Sequence, residues 1–256
     1  MKARLVLLLL GVGGGPLAAG AEWRAGIGLA VFDLPDYRGA AQRQRRALPF
    51  PYFYYRGERL WADRDGLGLR LIGERRLRLT LSAAATPLAA GDDNRARRGM
   101  PELAPTAELG PALHGRWRED DRLRLELAHR WVWAFAGGPP EPVGRRTALG
   151  LRWNRPGAGG EWRLSGGLLW GDRKLHAYYY EVDPAYATPT RPAYRARGGY
   201  GGEYLGLSWS IRRGRLWLGL ALHWDRLDDA VFADSPLVER RRSWAAGLGS
   251  AWLLHP

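Results

Sequence analysis

In the stretch Tyr204-Leu205-Gly206-Leu207-Ser208-Trp209-Ser210-Ile211, the apolar residues alternate with small or polar ones. After the tight break Arg212-Arg213-Gly214-Arg215 the alternation resumes as Leu216-Trp217-Leu218-Gly219-Leu220-Ala221-Leu222-His223-Trp224. A β-strand turns its side chains by half a revolution per residue, so each arm is a strand with one greasy face. Leu205, Leu207, Trp209 and Ile211 share that face on the first arm. Leu216, Leu218, Leu220, Leu222 and Trp224 share it on the second. Trp towards the ends of a greasy strand face suits a membrane–water boundary. One such hairpin also fits a secreted β-sandwich, so the deciding question is whether the pattern repeats.

It repeats along the chain. Residues 22–33, 49–57, 59–63, 66–73, 76–84, 105–117, 122–134, 145–154, 161–171 and 239–253 read as further strands, which with the hairpin makes twelve. The connections after strands 2, 4, 6, 8 and 10 are short. Those after strands 1, 5, 7, 9 and 11 are long, and only the one after strand 3 breaks the rule. The longest covers 172–198. Outer-membrane barrels place short turns on the periplasmic side and longer loops outside. A sandwich has no reason to sort its loops this way. The predicted fold is all-β: an antiparallel transmembrane barrel of about twelve strands over residues 22–256.

Composition agrees. The chain has 256 residues, 35 Gly, 13 Trp and 11 Tyr, and its mean hydropathy is slightly negative. Beyond the N-terminus no apolar run reaches the roughly 18 residues a membrane helix needs, but a spanning strand shows lipid only every second residue. Residues 1–21 read as a signal peptide. Lys2 and Arg4 lead, Leu5 to Leu10 form a short apolar core, and Ala19-Gly20-Ala21 is a cleavage site. The absence of Cys excludes disulfides and thiolate metal sites. The formal net charge of +13 comes from scattered Arg and suits anionic lipid headgroups or murein. No basic recognition motif points to nucleic acid.

In strand 7 Leu123, Leu125, Leu127, Trp131 and Trp133 fall on one face, and Arg124, Glu126 and Arg130 on the other. An Arg on the lipid face at mid-depth costs roughly 2–4 kcal/mol, so the charged face is the lumen. The same phase turns Arg70, Arg78, Arg124, Glu126, Arg130, Arg152 and Arg163 inward. They form either a charge network that stiffens the lumen or the lining of a narrow, anion-preferring pore.

No enzyme, metal site or cofactor is expected. The five His (114, 129, 176, 223 and 255) have no G-x-S-x-G elbow to serve and no H-x-H or H-x3-H spacing. In the longest loop Tyr178, Tyr179, Tyr180, Tyr186 and Tyr194 stand among several Pro. Tyr gives large contact area at low entropic cost, so this loop is the candidate interaction surface, or it folds down over the lumen.

Ordered pieces of the chain resemble the MipA/OmpV family of outer-membrane proteins. They are Gly26-x-Gly28 with Pro35-Asp36-Tyr37-Arg38-Gly39; Pro49 with Tyr54-Tyr55-Arg56-Gly57; and Gly66-x-Gly68. Further on come Tyr179-Tyr180-Glu181-Val182 with Tyr194, and Asp234-Ser235-Pro236-Leu237-Val238. The resemblance implies an outer-membrane barrel in contact with outer-membrane lipid. It also implies a scaffold that joins a lytic transglycosylase to a penicillin-binding protein in peptidoglycan assembly. A small channel or solute-binding barrel and a lipid-modifying enzyme are the alternative readings.

Overall fold

A computed structural model describes residues 21–63, 66–73, 76–86, 94–116 and 122–255. The stretch read above as a signal peptide lies outside the described residues, save for Ala21. The chain folds into a closed antiparallel barrel of twelve strands in sequence order, with the first strand paired to the last. In hydrocarbon every backbone N–H and C=O needs a partner, and closure supplies one along the seam.

The strands are β1 (Glu22–Pro35), β2 (Arg43–Arg56), β3 (Leu60–Asp63), β4 (Gly66–Gly73), β5 (Leu77–Thr86) and β6 (Thr106–Arg116), followed by β7 (Leu123–Ala134), β8 (Glu141–Gly157), β9 (Gly160–Gly171), β10 (Gly199–Arg213), β11 (Leu216–Arg226) and β12 (Arg242–His255). The opening hairpin is β10–β11, with Leu205 opposite Trp224 and Leu207 opposite Leu222. At its turn Gly214 takes a φ of 56°, the left-handed region that a side chain resists.

The greasy faces point outward. Ile27, Leu29, Val31, Leu125, Leu127, Leu151, Leu164, Leu205 and Leu248 are all exposed on the barrel wall. Exposed Trp residues flank this band in two girdles. Trp153, Trp162 and Trp252 lie towards the short-turn end, and Trp131 and Trp244 towards the long-loop end. That is the distribution a bilayer favours.

Several boundaries differ from the sequence reading. β2 begins at Arg43, not at 49, because Arg43 to Leu48 continue the ladder with β1. Asp33 on β1 binds Arg43 at 2.7 Å and Arg45 at 3.0 Å. This charged extension looked like loop only because it carries no apolar stripe. β8 runs longer at both ends than 145–154, and β12 covers Arg242–His255 rather than 239–253. The longest connection is also not wholly irregular. It opens with helix α1 (Arg173–Tyr180), whose N-cap Asp172 accepts a hydrogen bond from the Leu175 N–H at 2.8 Å.

Candidate functional site: a cap over the barrel mouth

Four connections meet at the long-loop end: 36–42, 94–105, 172–198 and 227–241. Their apolar side chains form a buried core of their own, built on Tyr37, Leu103, Tyr180, Val182, Leu227, Phe232 and Leu237. A smaller cluster of Val132, Ala134, Val143 and Leu175 joins β7, β8 and α1, so the main apolar packing among the described residues sits in this cap.

Hydrogen bonds lock the four segments together. The Tyr37 hydroxyl donates to the Leu237 carbonyl at 2.8 Å, and the Tyr180 hydroxyl donates to the Arg38 carbonyl at 2.9 Å. Ser235 Oγ donates to the Tyr180 carbonyl at 2.7 Å. The Glu239 and Arg240 amides both reach the Gly39 carbonyl at 2.9 Å, and Gly39 takes a φ of 97° to turn there. Asn94 Nδ2 donates to Asp36 Oδ2 at 2.6 Å. Arg97, itself buried, donates to the carbonyls of Tyr179 at 2.9 Å and Pro101 at 3.1 Å.

Burial sets the protonation behaviour of the cap. It pushes the Tyr37 and Tyr180 hydroxyls well above the ordinary phenol range, and the Tyr178 hydroxyl up to about 12. It lowers Arg97 and His176. His176 Nδ1 lies 2.7 Å from the Arg197 carbonyl and its ring packs 4.6 Å from that of Phe232. Each cause is the same loss of water around the charged form.

The candidate loop surface is drawn into this cap. Tyr180 is buried; Tyr178, Tyr179 and Tyr194 are half-buried and packed against the same core. Tyr186 stands exposed. Val182 and Tyr194 pair across a β-bridge. The loop does fold down over the mouth, and Tyr186 is the one of the five that remains well exposed.

Below the cap the register turns Arg70, Arg78, Arg124, Glu126, Arg130, Arg152 and Arg163 to the inner face, the face that also carries buried Thr80 and Ser82. Glu126 is the hub. Arg130 donates to it at 3.0 Å, His114 Nδ1 lies at 3.6 Å and Arg152 at 3.9 Å. Arg130 also reaches Ser82 on β5 at 3.1 Å, across β6. Arg163 belongs to a separate group with Asn154 at 2.8 Å and Glu161 at 3.4 Å.

Sequence reasoning missed a second tier nearer the mouth. Arg146 pairs with the buried Glu108, and Arg38 Nε binds Asp225 at 2.6 Å. His223 lies 3.2 Å from the same carboxylate. Their strand phase could have revealed Arg146 and Glu108, since both fall on the inner parity. Arg38 could not be found that way, because it lies in a connection.

A cavity of about 160 Å³ lies between cap and lumen, bordered by Asp36, Arg38, Thr106, Arg146, Tyr179 and Phe232 among others. Asp36 Oδ1, Arg38 Nη2 and Thr106 Oγ1 are buried with no hydrogen-bond partner among the described residues.

The family-like segments around Asp36, Tyr180 and Ser235, at least 55 residues apart in the chain, all meet in this cap. A search of curated protein sequences finds no match. Among solved structures the chain is similar to a Pseudomonas aeruginosa FadL homologue, at 11% identity and a TM-score of 0.35, over 90% of this chain and 68% of that one. It is similar to the Ralstonia pickettii toluene transporter TbuX at 10% identity and a TM-score of 0.30, over 94% and 71%. The CymD monoaromatic hydrocarbon channel gives 11% identity and a TM-score of 0.34, over 91% and 89%. A family model described as MltA-interacting protein MipA matches residues 27–254, nearly the whole chain. The chain belongs to the MltA-interacting protein MipA family.

Proposed function

We propose that this barrel sits in the outer membrane and acts there as a non-catalytic scaffold of murein assembly. In this reading it holds a lytic transglycosylase close to a penicillin-binding synthase. The observation that carries it is the covered mouth. Four connections share one buried core over the barrel, and a charge network centred on Glu126 ties the inner wall together below. A barrel built this way offers surfaces rather than a wide conduit. The family description names an interaction with MltA, which supports the choice of partner.

The partners belong to the short-turn end, at 57–59, 158–159 and 214–215. A photo-crosslinking residue at Ala158 or Arg215 tests this in cells. Recovery of a lytic transglycosylase and a penicillin-binding protein supports the scaffold. Recovery of neither, with stepwise conductance of the purified barrel in planar bilayers, replaces it with the channel reading. The cavity with its three unpartnered polar atoms favours a second reading, a solute-binding barrel.

A further inference from the structure

Asp36, Tyr37 and Arg38 follow directly on β1, and the turn at Gly39 sends the chain back towards β2. The three side chains take different anchors around one cavity. The Tyr37 hydroxyl donates to the Leu237 carbonyl, and Asp36 Oδ2 accepts from Asn94 at 2.6 Å. Arg38 donates to Asp225 at 2.6 Å and to the Gly201 carbonyl at 2.9 Å. All three residues border the cavity of about 160 Å³ beneath the cap.

The charges around this cavity do not balance. Arg38 is matched by Asp225, and Arg146 by Glu108. Burial favours the neutral ring of His176, which also borders the space. Asp36 is left over. It is 7% exposed, the side-chain hydrogen bond it accepts comes from a neutral amide, and Oδ1 is buried with no partner among the described residues. The segment 87–93, which leads into Asn94 and lies outside the described residues, holds no Lys, Arg or His. Arg97, also buried in the cap, donates to the Tyr179 and Pro101 carbonyls and is not among the residues that border the cavity. A carboxylate taken out of water without a cation is costly, so this site favours a cation from outside.

The remaining lining says which kind. A metal ion is ill served, since among the described residues no three His, Asp or Glu gather to hold one. Tyr37, Trp170, Tyr179, Tyr180 and Phe232 give the cavity five aromatic walls. Aromatic faces attract an organic ammonium, and the attraction grows where water is excluded. Two further polar atoms are buried without a partner among the described residues: Arg38 Nη2, a donor, and Thr106 Oγ1, on a residue 3% exposed. Together they suit a hydroxyl, which accepts from the first and donates to the second. The volume is close to that of a cavity that admits benzene, roughly 150 Å³, so the guest is one compact group.

We propose that the cavity binds a small organic ammonium that carries a hydroxyl, with its cationic head against Asp36 and the aromatic rings and its hydroxyl at Arg38 Nη2 and Thr106 Oγ1. This ligand class rests on the solute-binding reading of the cavity and is independent of the scaffold role.

The test uses the full mature barrel in octyl glucoside micelles, which bring no ammonium of their own. Choline is the probe, and dimethylbutanol, in which carbon replaces the charged nitrogen, is its neutral isostere. Calorimetric titration of the wild type should show saturable choline binding about tenfold tighter than that of the isostere. Asp36→Asn keeps an acceptor for Asn94 and removes the charge, so it should weaken choline about tenfold and leave the isostere unchanged. Asp234→Asn makes the same change at an exposed carboxylate that pairs with Arg241 and is not among the residues bordering the cavity, and it should leave both affinities unchanged. Glycerophosphocholine carries the same ammonium on a body too large for the cavity and should not displace choline. Displacement would assign the site to a lipid headgroup and overturn the free ligand. Isostere binding as tight as choline binding would overturn the ammonium and keep a solute site, whereas binding of neither would remove the solute site as well. Equal losses of choline affinity in Asp36→Asn and Asp234→Asn would overturn the role of Asp36. Should Asp36→Asn fail to fold, the wild-type preference for choline over its isostere decides alone.

Discussion

Tyr180 and Phe232 lie ring on ring, with centroids 3.8 Å apart and planes 10° apart. The stack joins the end of α1 to the connection between β11 and β12. Both residues are buried, and both belong to the apolar core of the cap.

Removing one ring should therefore loosen the cap and spare the barrel. Phe232→Ala is expected to cost the cap roughly 3–5 kcal/mol, the usual range for a buried aromatic. Hydrogen exchange should speed up across 172–198 and 227–241, while protection in β7 and β8 stays unchanged. Loss of protection throughout the barrel would show that cap and wall fold as one unit.

His176 makes the cap sensitive to acid. Burial holds its pKa below the ordinary 6.5, so the folded cap prefers the neutral ring. Above 6.5 both folded and open states are neutral and nothing changes. As pH falls through 6.5 the open state takes up a proton that the folded state refuses, and cap stability declines until the lowered pKa is reached. Limited proteolysis of the loops should rise from pH 7.5 to pH 5. His176→Gln should flatten that rise, and an equal rise in the variant would remove His176 as its cause.

Glu126 gathers Arg130, Arg152 and His114 within 3.9 Å. Glu126→Gln should lower barrel stability by about 2 kcal/mol, the range for a lost hydrogen bond to a charged group. The double variant with Arg130→Gln should be less destabilised than the sum of the two single ones, because the partners share the interaction. Strict additivity in urea unfolding would mean that the pair does not couple.

The closing seam depends on Gly26. It pairs with Leu253 across β1 and β12, and a Cβ there would lie 2.3 Å from the Trp252 carbonyl oxygen. A backbone atom cannot swing aside, so Gly26→Ala should cost about 1–3 kcal/mol through overpacking. The readout is the temperature at which the folded barrel loses its fast gel mobility. Gly115→Ala is the control, since nothing closer than 4.0 Å would meet its Cβ. Equal shifts in the two would show that the contact at Gly26 is not the cause.

Much of this molecule was legible in the order of its residues. Leucine at every second position declares a wall, because only period-2 burial satisfies lipid on one side and water on the other. The charges of β7 then declare which side is wet. The family-like segments at 35–39, 179–182 and 234–238 were also visible as words in the sequence. That they meet was not, since connections have no period to read. The extension of β2 over Arg43–Leu48 was hidden for a related reason. Above the lipid a strand needs no apolar stripe, and pairing alone shows it.

Alternation along the chain thus settled strand number and inside from outside, and ordered short segments carried the likeness to a family, since all of these rest on neighbours in sequence. The three-dimensional closure alone revealed the cap with its buried tyrosines and the Arg38–Asp225 pair. Each is made by residues far apart in the chain, and only the closed ring of twelve strands brings them within reach of one another.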